Sequence, residues 1–343
     1  MKDWWYNNWR VFVPILISLL LGSGGVVGLV KFISEARKKK EPASIPHSME
    51  KEEVFIYPKQ PNVEYSLGKY AFERGEYEQA LEHFISSAKD YERKDTYSYD
   101  HAAALICAGV ACSFLTQYDD ARKSYDHARA ILEINYKKNA REIAWIWNNM
   151  GNDCVKEDKL GEALQMHLNA LEIKKRFFGE KSITTGVSYL NVGGVLYTQG
   201  KGDEALEYSQ KALKTFNKES TMEYAAMTNY NIGNILRSQE KYGEAWKYYL
   251  DALFSYEALY GSEHLMVAQL YHYVGLMYAV QGEYEKAIPF CYSAYRVGRE
   301  KLSDEHPNTR MWLGSLMASY GLAGKKDFAK WLAEQLERKE PLP

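Results

Sequence analysis

Asparagines recur in the middle of this chain at a nearly constant spacing. Asn149, Asn191 and Asn231 follow one another at intervals of 42 and 40 residues, and Asn152 and Asn234 each lie three positions after a member of this series. A primary amide carries hydrogen-bond donors and an acceptor together, which makes it the complement of a peptide group. A row of such side chains can therefore hold an extended polypeptide by its backbone, whatever side chains that polypeptide carries.

Residue types that support catalysis are scattered through the chain. The eight histidines occur singly, and none lies beside a cysteine or serine in a nucleophile pattern. The sequence has no Gly-Lys-Ser/Thr phosphate loop, no His-Glu-x-x-His and no Gly-x-Ser-x-Gly. Paired acids such as Asp119-Asp120 fall in predicted turns, where they favour the start of a helix. We therefore predict that the protein is not an enzyme and binds neither a cofactor nor a metal ion.

The four cysteines are predicted to be buried, free thiols. They lie inside helical patterns, at positions where equivalent segments carry Gly, Val, Leu, Phe, His or Tyr, so we interpret them as small apolar groups and favour thiols over disulfides. No Cys/His cluster has the spacing of zinc ligands. The cysteines are Cys107, Cys112, Cys154 and Cys291.

The elements that must position the asparagines are the helices of a repeated hairpin. The stretch Gly-Glu-Tyr-Glu-Gln-Ala ends at Ala80, and an equivalent alanine recurs at intervals of 40 to 42 residues. These alanines are Ala80, Ala121, Ala163, Ala205, Ala245, Ala287 and Ala329. Twelve residues before them stand Gly68, Gly109, Gly151, Gly193, Gly233, Gly275 and, in the last unit, Met317. Small residues let two helices approach closely, and such hairpins must stack to bury their remaining faces.

The repeats resemble the tetratricopeptide repeat, in which a large residue, Leu-Gly and Tyr precede Ala, an aromatic residue and Ala. Phe84 and Tyr125 stand four positions after the alanine, where that pattern has its aromatic residue. The period exceeds the usual ~34 residues and resembles the kinesin light chain subtype, with local matches in Ala287-Ile-Pro289 and Asp304-Glu-His306-Pro307. The resemblance covers residues 62–340 and implies an all-α, right-handed solenoid of about seven helix hairpins.

Each of the regularly spaced asparagines lies two positions before the packing glycine of its repeat. At ~100° per residue, this position points about 200° away from the partner helix, so we expect it on an inner, concave and solvent-exposed wall. The arrangement is similar to the asparagine ladder of kinesin light chains and of the O-GlcNAc transferase repeats, which implies a groove that binds peptides. The alternative is that these asparagines are merely neutral on a solvated helix face.

The predicted peptide-binding wall extends over the three middle repeats and into the sixth. It consists of Asn149, Asn152, Asn191, Tyr197, Tyr230, Asn231, Asn234, Arg237 and His272. In the other four repeats the position of the spaced asparagines is held by Ser66, Cys107, Tyr273 and Ser315, so the ends of the array need not grip a peptide in the same way.

Residues 1–36 are predicted to form a short tail and one transmembrane helix that spans about residues 11–31. The stretch 11–30 holds twenty consecutive residues without a charge, which at ~1.5 Å per residue cover the roughly 30 Å of hydrocarbon in a bilayer. Aromatic residues such as Trp5 and Trp9 precede this stretch, as they do at the headgroup level. A cleaved signal peptide is the alternative, although its apolar stretch is usually shorter.

Residues 37–61 are predicted to be a disordered linker, because they combine four of the nine prolines with many charges. Five basic residues follow the apolar stretch and two precede it. The positive-inside rule therefore predicts a single-pass membrane protein with its N-terminal tail outside and its repeat domain in the cytoplasm.

The charge distribution argues against nucleic acid as a partner. Residues 1–40 carry seven Lys/Arg against two Asp/Glu, which leaves the rest of the chain at a net charge of about -7, without a basic face to release phosphate counterions. We predict instead a membrane-anchored scaffold that binds an extended segment of a protein partner. An assembly factor that uses its convex face or tether is one alternative, and a peptide-sensing regulator is another. The sequence leaves self-association open.

Overall fold

A computed structural model describes residues 56, 58–95, 98–136, 141–216 and 221–338 of the chain. These residues contain fourteen α-helices and no β-strand. The helices belong to two compact units, which divide between residues 221 and 222. The predicted transmembrane helix and residues 37–55 of the predicted linker lie outside the described residues. None of the described helices is long and apolar enough to cross a bilayer.

The unit that ends at residue 221, called the N-terminal unit, contains four helix pairs, numbered repeats 1 to 4. Its helices are α1 (Val63–Glu73), α2 (Tyr77–Lys94), α3 (Tyr99–Phe114), α4 (Tyr118–Tyr136), α5 (Arg141–Lys156), α6 (Leu160–Phe178), α7 (Ile183–Thr198) and α8 (Gly202–Leu213). In this unit the second helix of each repeat also packs against the first helix of the next. The four pairs therefore form a continuous stack.

The unit that begins at residue 222, called the C-terminal unit, contains repeats 5 to 7. Its helices are α9 (Met222–Ser238), α10 (Tyr242–Tyr260), α11 (Leu265–Val280), α12 (Tyr284–Leu302), α13 (Pro307–Leu322) and α14 (Lys326–Arg338). The same order of contacts stacks these three pairs. The seven predicted hairpins are thus all present, with the predicted glycine on the first helix of each pair except the last.

Close approach at the glycines joins the two helices of a repeat. A Cβ atom built on each of them would come within 2.6–2.9 Å of the side chain four positions after the repeat's alanine. The pairs are Gly68 with Phe84, Gly109 with Tyr125, Gly151 with His167, Gly193 with Ser209, Gly233 with Tyr249 and Gly275 with Cys291. The predicted close contact is confirmed, and it places the two most regular sequence positions directly against each other.

The turns inside the repeats share one backbone conformation. Each has a single residue with φ between 60° and 84°. These residues are Gly75, Thr116, Asp158, Gly200, Glu240, Gly282 and Gly324. The left-handed conformation reverses the chain after the first helix, and the second helix begins two residues later without a side-chain cap in repeats 1, 3, 4, 5 and 6.

Side-chain caps start the first helices instead. Asn62, Ser98 and Ser182 each accept a hydrogen bond from the amide three residues on, and His264 and His306 accept one from the amide two residues on. A cap satisfies one of the backbone N–H groups that a helix start leaves without a partner. The first helices of repeats 1, 2, 4, 6 and 7 are thus capped by a side chain.

The four cysteines are free thiols, and all are buried, as predicted. Burial raises the pKa of the Cys107 thiol to about 12 and that of Cys291 to about 11. Each thiol is therefore protonated at neutral pH and packs as a small apolar group.

The linker prediction is wrong for the residues directly before α1. Ile56 and Pro58 are buried, and the backbone around Lys59 and Gln60 makes hydrogen bonds with side chains of repeats 1 and 2. Proline content and charge predicted a loose chain, but the side chains that hold it lie up to 51 residues away in sequence. No local pattern could show those contacts.

Replacing Gly193 by leucine should lower the free energy of unfolding by about 1–3 kcal/mol. A Cβ at this position would lie 2.9 Å from Ser209 Oγ and 3.3 Å from the carbonyl oxygen of Ala205, so the helices must separate. Gly161→Leu is the matched control, because a Cβ at Gly161 meets no atom within 4 Å. Urea denaturation followed by circular dichroism measures both variants. Equal stabilities would contradict the role given to the glycine.

Candidate functional site

The predicted wall begins on the first helices of repeats 3 and 4. Asn191 of α7 donates a hydrogen bond from Nδ2 to Asn148 Oδ1 of α5 at 2.8 Å, and both side chains are buried. Asn149 is also buried, and its Nδ2 has no hydrogen-bond acceptor among the described residues. Asn152 and Tyr197 are half-buried on the same two helices. The wall of the N-terminal unit thus contains one amide pair between repeats and one amide donor without an acceptor.

The wall of the C-terminal unit is organised around Tyr249 and Tyr273. Their rings stack with centroids 5.0 Å apart and planes 7° apart. Tyr249 Oη donates to Asn234 Oδ1 at 2.8 Å, and Arg237 Nε donates to Tyr249 Oη at 3.2 Å. The Arg237 guanidinium also lies over the Tyr273 ring, 5.1 Å from its centroid. Asn234 and Arg237, two of the predicted wall residues, therefore both form hydrogen bonds with the hydroxyl of Tyr249.

Tyr230 and His272 belong to the same cluster, because their rings also contact that of Tyr273. Their ring centroids lie 5.9 Å and 5.4 Å from that of Tyr273. Burial, together with the positive charge of Arg237, lowers the pKa of His272 to about 3. The imidazole is therefore neutral at physiological pH, and its Nδ1 has no hydrogen-bond partner among the described residues.

Asn231 lies on the same helix as Asn234 but makes no comparable bond. Its side chain is 8% exposed, and Oδ1 finds no donor in the part of the chain that the structure describes. Gln269 Nε2 on α11 is likewise buried without an acceptor there. A buried polar atom without a partner costs roughly 1–3 kcal/mol.

The expectation that the asparagines are exposed to solvent is wrong. Asn149, Asn191 and Asn231 are only 7–8% exposed, and Asn234 is 9% exposed. The helical-wheel argument considered only the partner helix of the same hairpin. The first helix of the adjacent repeat also covers this face, as the bond between Asn191 and Asn148 shows. The wall residues therefore contribute to packing as well as offering polar groups.

Sequence reasoning missed three residues that organise the wall. Asn148 was not included, although it directly precedes Asn149, and an adjacent pair of amides is itself a signal. Tyr273 stands at the ladder position of repeat 6 and was treated as an interruption, whereas it is the residue that Tyr230, Arg237 and His272 all contact. Tyr249 stands four positions after Ala245, where the repeat pattern has its aromatic residue, and only the structure shows its hydroxyl reaching Asn234.

A buried carboxyl group links repeats 2 and 3 beside Asn152. Ser113 Oγ donates to Asp153 Oδ2 at 2.6 Å and lies 3.1 Å from Tyr125 Oη. Burial raises the pKa of Asp153 to about 6, and the Ser113 hydrogen bond and the charges of Lys156 and Arg122 oppose that rise. The repeats are thus joined by a group that changes charge in mildly acidic solution.

Models of the tetratricopeptide repeat match residues 142–218, 226–265 and 267–308. The chain contains tetratricopeptide repeats. A TPR repeat-containing protein of Methanocaldococcus jannaschii is 24% identical over 269 residues, which are 76% of this chain and 41% of that protein. Kinesin light chain-related protein 3 of Arabidopsis thaliana is 22% identical over 229 residues, or 66% of this chain and 34% of that protein. The second match agrees with the subtype that the long period indicated.

A signal transduction ATPase with a tetratricopeptide repeat sensor, from Pyrococcus horikoshii, has a similar fold. The TM-score is 0.65 at 18% identity, over 81% of this chain and 41% of that one. This chain spans between 9% and 41% of the length of the curated relatives it matches. The comparisons therefore establish the repeat and its fold, and tetratricopeptide repeats typically serve as non-enzymatic interaction scaffolds.

Replacing Asp153 by asparagine should change how stability depends on pH. The pKa of the folded carboxyl is raised above its ordinary value near 4, so the folded state binds this proton more tightly than the unfolded state. The stability that the bound proton adds to the folded state is complete below about pH 4 and is lost as the pH rises through about 6. Asp153→Asn lacks this loss and keeps an acceptor for Ser113.

Urea denaturation at pH 4, 5, 6 and 7 tests this linkage. The stability of the variant relative to the wild type should rise with pH by up to about 3 kcal/mol, at ~1.36 kcal/mol per pKa unit. Ser255→Ala is the control, since the Ser255 hydroxyl bonds only its own helix, to the carbonyl oxygen of Asp251. A stability difference between Asp153→Asn and the wild type that stays constant across the series would contradict the raised pKa.

Proposed function

We propose that this protein is a membrane-anchored scaffold whose tetratricopeptide repeats bind an extended segment of a partner protein. The single observation that best supports the proposal is the state of the asparagine positions. Asn149 Nδ2 and Asn231 Oδ1 are buried polar atoms without hydrogen-bond partners among the described residues, and they occupy equivalent places in repeats 3 and 5. One is a donor and the other an acceptor.

A polypeptide backbone carries the complementary groups. In the N-terminal unit a carbonyl oxygen of a bound segment would accept from Asn149 Nδ2, and in the C-terminal unit an N–H of a bound segment would donate to Asn231 Oδ1, once the side chains that cover these atoms move aside. Each new bond removes the cost of a buried polar atom without a partner, roughly 1–3 kcal/mol. Binding through backbone groups selects for an extended conformation rather than for one sequence.

Side-chain selection would come from the cluster around Tyr273. Arg237 is half-buried on this cluster and carries a permanent positive charge beside aromatic faces. The low pKa of His272 keeps the imidazole neutral, so it adds hydrogen-bonding capacity without a second charge. We infer a preference for an acidic or aromatic residue in a segment bound by repeats 5 and 6.

The membrane part of the proposal rests on the sequence. The uncharged stretch 11–30 has the length of one crossing, with aromatic residues before it and the basic run 37–40 after it. We propose that this stretch anchors the chain and that the basic flank keeps the repeats in the cytoplasm. A scaffold held in this way would bring its partner to the membrane surface.

Asn149→Ala and Asn231→Ala should each weaken peptide binding with little loss of stability. Both substitutions delete a partnerless polar atom, and each lost hydrogen bond costs about 0.5–1.5 kcal/mol of binding free energy. The peptides are selected from a library of short random peptides displayed against the full-length protein in detergent, and fluorescence anisotropy measures their affinity.

Asn191→Ala is the contrasting variant in that experiment. Its Nδ2 already bonds Asn148, so its loss should lower the free energy of unfolding by about 1 kcal/mol. If all three variants lose stability and keep wild-type affinity, the asparagines serve packing alone. The alternative function, assembly of a membrane complex through another surface, would then replace the peptide-binding proposal.

Deletion of residues 1–36 should release the protein from the membrane fraction and leave it helical, because the helix pairs of the described repeats pack on one another. Cell fractionation and circular dichroism measure the two properties. In the full-length chain, protease added to intact cells should spare the repeats, and permeabilised cells provide the control. Digestion of the repeats in intact cells would reverse the proposed orientation, and a truncated protein that stays with the membrane would remove the anchor.

A further inference from the structure

The residues directly before α1 contact side chains of repeats 1 and 2. The carbonyl oxygen of Ile56 accepts a hydrogen bond from Tyr65 Oη at 3.1 Å and one from Cys107 Sγ at 3.9 Å. Cys107 holds in repeat 2 the position that Asn149 holds in repeat 3, 42 residues later. A backbone group of the chain itself therefore occupies a ladder position.

Further along this segment, a carboxylate and a phenol hold the backbone at Lys59 and Gln60. Asp100, in the first turn of α3, accepts from Lys59 N at 2.6 Å through one oxygen and from Gln60 N at 3.2 Å through the other. Tyr91 Oη donates to the carbonyl oxygen of Gln60 at 2.6 Å and accepts from Asn62 N at 2.8 Å. Side chains of three helices thus bind four backbone groups between Ile56 and Gln60.

The side chains of the segment divide into anchors and solvent-facing residues. Ile56 is 7% exposed and joins the apolar core that contains Tyr65 and Cys107. Pro58 is buried as well, whereas Lys59 and Gln60 are exposed. The site therefore buries two apolar side chains of its ligand, an aliphatic one and, two positions later, a proline.

We propose that Tyr65, Tyr91, Asp100 and Cys107 form a second peptide site, whose resident ligand is the chain's own Ile56 and residues 58–60, called the resident segment. Its ligand class is a non-helical peptide with an aliphatic residue two positions before a proline. The site binds the segment through its backbone and through two apolar side chains, so another segment with the same two residues can take its place. It does not rest on the asparagine positions of repeats 3 to 5, which the test leaves unchanged.

Covalent attachment gives the resident segment an advantage over any competitor. A tethered ligand has an effective concentration in the millimolar range, so a free peptide replaces it only when the resident contacts are weakened. The site is consequently occupied by the chain's own segment in the resting protein. It is free for another peptide only after this segment is displaced.

The thiol of Cys107 reports the state of this site. It is fully buried beneath Ile56, and burial raises its pKa, so it should react slowly with maleimide in the wild type. In the full-length chain purified in detergent, Ile56→Asp should raise the rate of Cys107 labelling by at least about tenfold, because the thiol loses its cover. Mass spectrometry of proteolytic fragments locates the label.

Two controls separate displacement of the segment from unfolding. Gln60→Ala keeps both backbone bonds of that residue and should leave the labelling rate unchanged. Cys154, a buried thiol in repeat 3 of the same unit, should stay protected in every variant. If Ile56→Asp also exposes Cys154, Asp100→Ala supplies the same test, since it removes only the acceptor of two N–H groups.

A synthetic peptide of residues 54–61 then tests exchange. Added to Ile56→Asp, it should restore protection of Cys107, and the same peptide with aspartate in place of its isoleucine should not. An unchanged labelling rate in Ile56→Asp and in Asp100→Ala would show that the segment does not cover the site. Failure of the peptide to restore protection would show a permanent strap instead of a peptide site. Neither result bears on the asparagines.

Discussion

The structure depends on the contact, in each of the first six repeats, between the glycine of the first helix and the residue four positions after the repeat's alanine. At this contact two helices approach so closely that a single added carbon would lie within 2.9 Å of the facing side chain. The facing residue differs from repeat to repeat, from Ser209 to Tyr125, yet the approach is the same. Because the contact fixes the angle and spacing of a hairpin, it also fixes which first-helix residues meet the neighbouring repeat. The polar wall is a consequence of that spacing.

The fold could be predicted from the sequence because its signals are periodic. The alanine series recurs in all seven repeats and the glycine series in the first six, and together they predicted all seven hairpins and the helix on which the asparagines lie. The environment of those asparagines could not be predicted in the same way. Helical periodicity gives a direction relative to one partner helix, whereas the burial of Asn191 depends on Asn148 of the adjacent repeat. Packing between repeats depends on contacts between neighbouring hairpins, and the sequence period gives no information about these contacts.

The two candidate peptide sites differ in whether their polar groups already have hydrogen-bond partners. In repeats 1 and 2 polar side chains bind the chain's own backbone, at Ile56, Lys59 and Gln60. In repeats 3 and 5 the corresponding amides leave buried atoms without partners among the described residues. The repeats therefore contain one site that the chain's own backbone occupies and others in which polar atoms have no partner among the described residues. Composition suggested the reverse, since the segment at 56–61 has the character of a linker.

The left-handed turns inside the repeats give the array an uneven resistance to unfolding. Glycine adopts positive φ without steric cost, but a residue with a Cβ loses roughly 1–2 kcal/mol there. In the N-terminal unit glycine holds this position in the outer repeats 1 and 4, whereas Thr116 and Asp158 hold it in the inner repeats 2 and 3. Since stacked repeats fold by local nucleation and propagation, the first stable hairpins should form at the two edges of this unit. The inner pair would close last, by docking on neighbours that are already in place.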